Sequence, residues 1–186
     1  MKNKVLIVAV FFGITITTKA QDLKFGIKGG LNLATLSDNG SGLNFRPAFH
    51  FGIVSEYRIS DNFSIQPELL YSSQGQKYHG GLVLKLNYLN LPIMANYLVS
   101  ENIFIEAGPQ FGVLLSAKEG NESIKDTYRD IDFGFNLGLG YKFEGGLSFN
   151  ARYYFGIANL HDWLDEFISD QTTRNKVLQL SIGYLF

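Results

Sequence analysis

Few residues in this 186-residue chain are equipped for chemistry, and none of them is a cysteine. That removes thiolate catalysis, disulfides and zinc–thiolate sites. Three histidines remain. His50 lies in a stretch of alternating polarity and is expected on its polar side, near one end. With a serine and an acid beside it, such a histidine could act as the base of an enzyme working at a membrane rim on lipid A or phospholipid. Ser72, Ser73 and Glu68 have the right types, but no spacing ties them to His50. A hydrogen-bonded interior histidine is the simpler expectation. His79 precedes Gly80-Gly81, most simply a turn. His161 lies with Asp162, Asp165 and Glu166. That set could hold a divalent cation, although one histidine and three acids in a solvated loop is a weak ligand signature. Gly138 and Gly140 alternate along a strand, so they serve packing and not phosphate binding. No catalytic, cofactor or metal residue is assigned, and the chain is expected not to be an enzyme.

A second set is more coherent. Lys28, Arg58, Lys142 and Arg152, with Glu56, Glu68, Glu106 and Asp132, all fall at the polar positions of alternating segments. Four bases and four acids on one inner surface suggest paired networks, because unpaired buried charge is very costly. The expectation is a lumen plugged by side chains; the alternative is an ion path.

The elements that carry these residues are strands. In Val177–Phe186, Leu178, Leu180, Ile182, Tyr184 and Phe186 share one face, and Val177, Gln179, Ser181, Gly183 and Leu185 share the other. This period of two is the mark of a strand. Seven further segments repeat it, at about residues 23–33, 45–59, 63–73, 84–99, 103–115, 131–143 and 147–157. In the fourth, Leu84 and Leu86 run out of phase with Leu89, Leu91 and Ile93, which predicts a bulge near Asn87–Tyr88. Short connections at Ser60-Asp61-Asn62, Ser100-Glu101-Asn102 and Glu144-Gly145-Gly146 alternate with long ones at about 34–44, 74–83, 116–130 and 158–174. A repeat follows the short turns. Tyr57, Tyr97, Tyr141 and Tyr184, spaced by 40, 44 and 43 residues, each start a Tyr-x-apolar unit where an interfacial aromatic belt belongs.

Two barrels satisfy this pattern. In a soluble one the greasy face points inward; in a transmembrane one it faces lipid. Crowding favours the second. The apolar face is crowded with Phe, Leu, Ile and Tyr, whereas the opposite face is rich in glycine, and an eight-stranded interior has little room. The predicted fold is therefore all-β: an eight-stranded antiparallel up-and-down transmembrane β-barrel. Its short turns are periplasmic, its long loops external, and its place is the outer membrane. Pro67, Pro92 and Pro109 fall inside spanning segments and are read as bulges or membrane exits.

Lys2 and Lys4, the apolar run from Val5 to Ile16, and Thr18-Lys19-Ala20 read as a cleaved signal peptide over residues 1–20, with the barrel domain at 21–186. The run is too short for a spanning helix. Loss of Lys2, Lys4 and Lys19 takes the formal net charge from −1 to −4, and no basic patch suggests nucleic acid.

Within the last long connection, Leu160, Trp163, Leu164, Phe167 and Ile168 recur at helical spacing. A short amphipathic helix is expected at roughly 160–169, with Asn159 as its cap. Its stripe covers the barrel mouth, or else Trp163 and Phe167 offer a docking surface to an envelope protein or to the outer leaflet. Outer-membrane lipids are the other expected partner.

The stretch Tyr88-Leu89-Asn90-Leu91-Pro92-Ile93-Met94-Ala95-Asn96-Tyr97 resembles the Tyr-Leu-x-Ile-Pro-Leu-Leu-x-x-Tyr segment of the PorT-like outer-membrane β-barrel family. Phe25-Gly26-Ile27-Lys28-Gly29-Gly30-Leu31-Asn32 and Glu106-Ala107-Gly108-Pro109 are similar to it as well. The resemblance covers nearly the whole mature chain and implies a small surface barrel. It carries no residue motif for the founding member's part in secretion and gliding, so that role is not transferred.

Overall fold

The computed structural model describes residues 23–37, 45–78, 81–120, 122–160 and 173–186. The strands are β1 (Leu23–Ser37), β2 (Arg46–Arg58), β3 (Phe63–Lys77), β4 (Val83–Leu98), β5 (Ile103–Glu119), β6 (Glu122–Ser123), β7 (Ile131–Lys142), β8 (Leu147–Gly156) and β9 (Arg174–Leu185). Sequence neighbours pair antiparallel around a ring, β5 passing to β7, and β1 pairs with β9 to close it. β6 is a two-residue ladder on the end of β5, outside the ring. Eight strands thus make a closed barrel with no free edge, the one β-architecture that satisfies every backbone group in hydrocarbon.

Side chains sort as the period of two requires. Phe25, Ile27, Leu31, Phe51, Ile53, Leu137, Leu139, Leu180 and Ile182 are exposed on the outside. The inside buries Lys28, Asn32, His50, Glu68, Glu106, Asn136, Arg152 and Gln179. Tyr57, Tyr97, Tyr141 and Tyr184 are exposed beside the short turns, and Tyr141 and Tyr184 lie against Phe143 and Phe186 at ring-centroid separations of 4.6 and 5.5 Å. These are the rings of an interfacial girdle.

Strands β1, β3 and β5 run four residues past their predicted ends, into what were expected to be loops. For β3 and β5 the outer chemistry explains the mismatch. Ser73, Asn87 and Ser116 form a polar row across β3, β4 and β5, Ser73 Oγ donating to Asn87 Oδ1 at 2.8 Å and Asn87 Nδ2 to Ser116 Oγ at 2.9 Å. Beyond that row the outside carries Lys85 and Lys118, while Leu84, Leu86 and Ala117 face in. The ladder continues after the lipid-type pattern has stopped.

The bulge lies where the phase change predicted it, with the register of β4 on β5 shifting between Asn87 and Tyr88. Its owner is different. Asn87 pairs with Ser116 and Tyr88 with Leu114, so the extra residue is Leu115 of β5. β4 keeps one phase throughout, and Leu84 and Leu86 are inward-facing leucines above the lumen's polar part.

The three prolines are neither bulges nor exits. The β2–β3 ladder breaks at Pro67, the β3–β4 ladder at Pro92 and the β4–β5 ladder at Pro109, with unchanged register on both sides of each break. Each proline stays paired on its other side: Pro67 with Ile93, Pro92 with Gln110, Pro109 with Phe135. In an antiparallel ladder a residue's N–H and C=O face the same neighbour, so a missing N–H weakens one ladder only.

Candidate functional site

The inner wall brings together most of the predicted charges. Arg152 on β8 and Glu68 on β3 stand on opposite sides of the ring. The Arg152 guanidinium spans it, with Nη1 donating to Glu68 Oε2 at 3.0 Å and Nη2 to Glu68 Oε1 at 2.9 Å. The same group donates to Glu106 through Nε at 3.0 Å and Nη2 at 2.8 Å. Lys28 Nζ reaches Glu68 Oε1 at 3.0 Å, and Asn150 Nδ2 donates to Glu106 Oε1 at 2.6 Å. Two bases and two acids are held with at most 7% exposure, their charges balanced and their lone pairs engaged.

Nearer the short turns, Lys142 Nζ of β7 meets Glu56 Oε1 of β2 at 2.6 Å, again across the ring, and Ser64 Oγ donates to the same oxygen at 2.8 Å. Two of the eight predicted charges stand apart. Arg58 is exposed at the short-turn mouth, and Asp132 accepts from Asn175 Nδ2 at 2.8 Å higher up.

His50 has partners that sequence spacing could not supply. Its Nδ1 lies 2.7 Å from Asn32 Oδ1 and its Nε2 2.9 Å from Ser181 Oγ. Asn32 Nδ2 donates to Ser72 Oγ and to the Ser73 carbonyl, which turns its oxygen toward His50. An acceptor at Nδ1 places the ring proton there and leaves Nε2 to accept from Ser181. The connectivity is that of nucleophile, base and orienting group. All three residues are buried, His50 to 2% and Ser181 to 5% exposure. Neither Ser73 nor Glu68 bonds the imidazole; Ser72 stands opposite His50 in the ladder and is linked to it through Asn32.

Glycine is what lets side chains two strands apart meet. Gly30 pairs with His50 on one side and Ser181 on the other. A Cβ there would lie 1.9 Å from the Leu180 carbonyl oxygen. Gly138 stands likewise between Glu106 and Arg152, and its Cβ would lie 2.7 Å from Glu106 Oε1. Chain order hides this arrangement; once register is known, a polar pair flanking a glycine is its signal.

Above the polar levels, Leu36, Leu84, Leu86, Tyr88, Leu114, Ala117 and Leu160 form a buried apolar cluster with Tyr78, Ile124 and Tyr128 packed on it. Burial, with Tyr78 and Glu119 nearby, pushes the Tyr128 hydroxyl up to about 12. Leu160, the first residue of the predicted stripe, is wholly buried here, and its N–H donates to the Thr173 carbonyl at 2.9 Å. Asn159 Oδ1 accepts from Thr173 N at 3.2 Å, tying the two ends of the last long connection. The rest of the predicted helix, with Trp163 and Phe167, lies outside the described residues, as do His79, His161, Asp162, Asp165, Glu166 and the predicted signal peptide. Among the described residues no group of three or more His, Asp or Glu is placed to hold a metal ion.

A closed ring of eight tilted strands, greasy outside and ion-paired inside, defines a small transmembrane β-barrel. The chain belongs to the outer membrane protein beta-barrel domain family, which matches residues 19–162, and it is a protein of the cell outer membrane. Its fold is similar to that of Ail, the attachment invasion locus protein of Yersinia pestis. Ail is 13% identical at a TM-score of 0.56, over 89% of this chain and 99% of that one. It is similar also to Neisserial surface protein A, 15% identical at a TM-score of 0.61, over 87% of this chain and 97% of that one. No curated protein matches it in sequence.

Proposed function

We propose that this chain is a sealed, non-enzymatic barrel of the envelope surface, structural or associated with a larger complex, with residues 1–20 removed as a signal peptide. The Arg152 bridge between Glu68 and Glu106 carries the reading. A guanidinium anchored to both walls leaves an eight-stranded lumen no continuous water path. Purified full-length protein in planar bilayers is expected to give no stable conductance; a reproducible open channel in the native fold would overturn the proposal. The PorT-like resemblance supports the same class of small surface barrel. The burial of Leu160 favours a last-loop stripe that covers the mouth, with Trp163 and Phe167 as the residues through which an envelope protein could still dock.

The alternative, an enzyme acting on lipid A or phospholipid, has one observation in its favour, the linked Ser181–His50–Asn32 set. Its burial argues the other way. A fluorophosphonate probe separates the two: the sealed barrel stays unlabelled in native membranes, whereas labelling that Ser181→Ala abolishes establishes the enzyme.

A further inference from the structure

The outer wall above the bilayer holds a pair of like charges that the interior does not need. Lys85 of β4 and Lys118 of β5 are direct partners in the β4–β5 ladder. Both are exposed, and neither makes an ion pair with another described residue. The acids nearest Lys118 along the chain, Glu119 and Glu122, are ladder partners of one another in the next row up. Like charges directly opposite on one sheet face destabilise it.

The bulge creates this pair. Below it, even-numbered residues of β5, from Phe104 to Leu114, face the lumen. Without the extra residue Leu115, Lys118 would point inward as well. Leu115 shifts the phase, sends Ala117 into the apolar cluster and puts Lys118 outside against Lys85. Bulges of this kind re-aim side chains. Leu115 and Val113, exposed below, bring the apolar band almost to the lysines. Lys118 lies three positions beyond Leu115, on the order of 10 Å along a strand, which is headgroup height on the long-loop side.

We propose that Lys85 and Lys118 together bind a phosphate on the headgroup of an outer-leaflet glycolipid. The phosphate bridges the two ammonium groups while the lipid's acyl chains lie on the band below. This assignment rests on the bilayer placement and not on the sealed lumen: a conducting pore would end the proposed function and leave the lysine pair standing.

The test uses the full-length folded protein in phosphatidylcholine nanodiscs doped with bis-phosphorylated lipid A or with the same glycolipid dephosphorylated, and native mass spectrometry counts the glycolipid retained. The expected result is about a 30-fold preference for the phosphorylated form, two lysines each contributing as a cation near an anionic surface. Lys85→Gln with Lys118→Gln removes the preference while gel mobility stays that of the folded barrel, and Lys85→Arg with Lys118→Arg retains it. An undiminished preference in the glutamine variant, loss of preference in the arginine variant or no preference in the parent protein overturns the proposal. Displacement of the glycolipid by millimolar inorganic phosphate overturns it too, since the site would then be one for a free anion.

Discussion

One wall of this barrel meets two solvents, and the two levels are built in opposite senses. From the short turns up to the row Ser73–Asn87–Ser116, the outside is Phe, Leu, Ile and Tyr while the inside is ion-paired and glycine-spaced. Above that row lysines face out and leucines face in, though β3, β4 and β5 run through both levels without interruption. Backbone pairing is indifferent to the change. What differs is where burial stabilises: within the bilayer the outside is already apolar, so the lumen can hold hydrogen-bonded charge, whereas above it the hydrophobic effect acts inward as in a water-soluble protein.

The sharpest break of that contrast is Arg152→Ala. It leaves Glu68 and Glu106 buried without their shared cation, and the expected loss is about 4 kcal/mol. Urea titration in phosphatidylcholine vesicles, followed by the gel-mobility shift of the folded barrel, measures it. A loss below about 1 kcal/mol, the scale of exposed ion pairs, would mean that water reaches the quartet.

Next in size is a charge on the outer wall at two heights. Leu137→Arg, in the middle of β7, is expected to cost about 3 kcal/mol, and Asn87→Arg, at the polar row, less than about 1 kcal/mol. The same titration compares them, and equal costs would erase the boundary drawn at Asn87. Above that boundary, Leu86→Ala opens a cavity in the apolar cluster and is expected to cost about 2 kcal/mol. If that variant were as stable as its parent, the upper level would not be packed as a water-facing core.

The sequence made the lower level legible and misplaced the upper one. Eight strands, three tight turns and the lipid face follow from a period of two that needs no partner to be read. The long connections are shorter than the pattern predicts because Gln74, Gly75 and Gln76 in β3 and the out-of-phase Ala117 in β5 lack the lipid-type alternation, although the ladder continues through them. The phase change locates the bulge at Asn87–Tyr88, yet only cross-strand register assigns the extra residue to Leu115. Alternation predicts pairing of the interior charges as a class. Which acid meets Arg152, and that Ser181 and Asn32 are the partners of His50, depends on closure of the ring through β1 and β9.

A substitution at Gly138 is expected to cost less than the loss of Leu86, and it tests the spacer role most directly. Glycine on the inner face could simply relieve crowding, in which case a methyl would be tolerated wherever neighbours can shift. Gly138 is more constrained, because an added Cβ meets the Ala151 carbonyl oxygen at 2.7 Å as well as the Glu106 carboxylate at 2.7 Å. The backbone atom cannot yield without disturbing the β7–β8 ladder, so the carboxylate must move away from Arg152. Gly138→Ala is therefore expected to cost about 1 kcal/mol, at the low end for overpacking. In a double-mutant cycle, most of that cost should vanish when Glu106→Gln has already weakened the pair. If the two losses simply add, Gly138 makes room for the strand and not for the Glu106–Arg152 contact, and the ion-paired lower level owes nothing to its spacing.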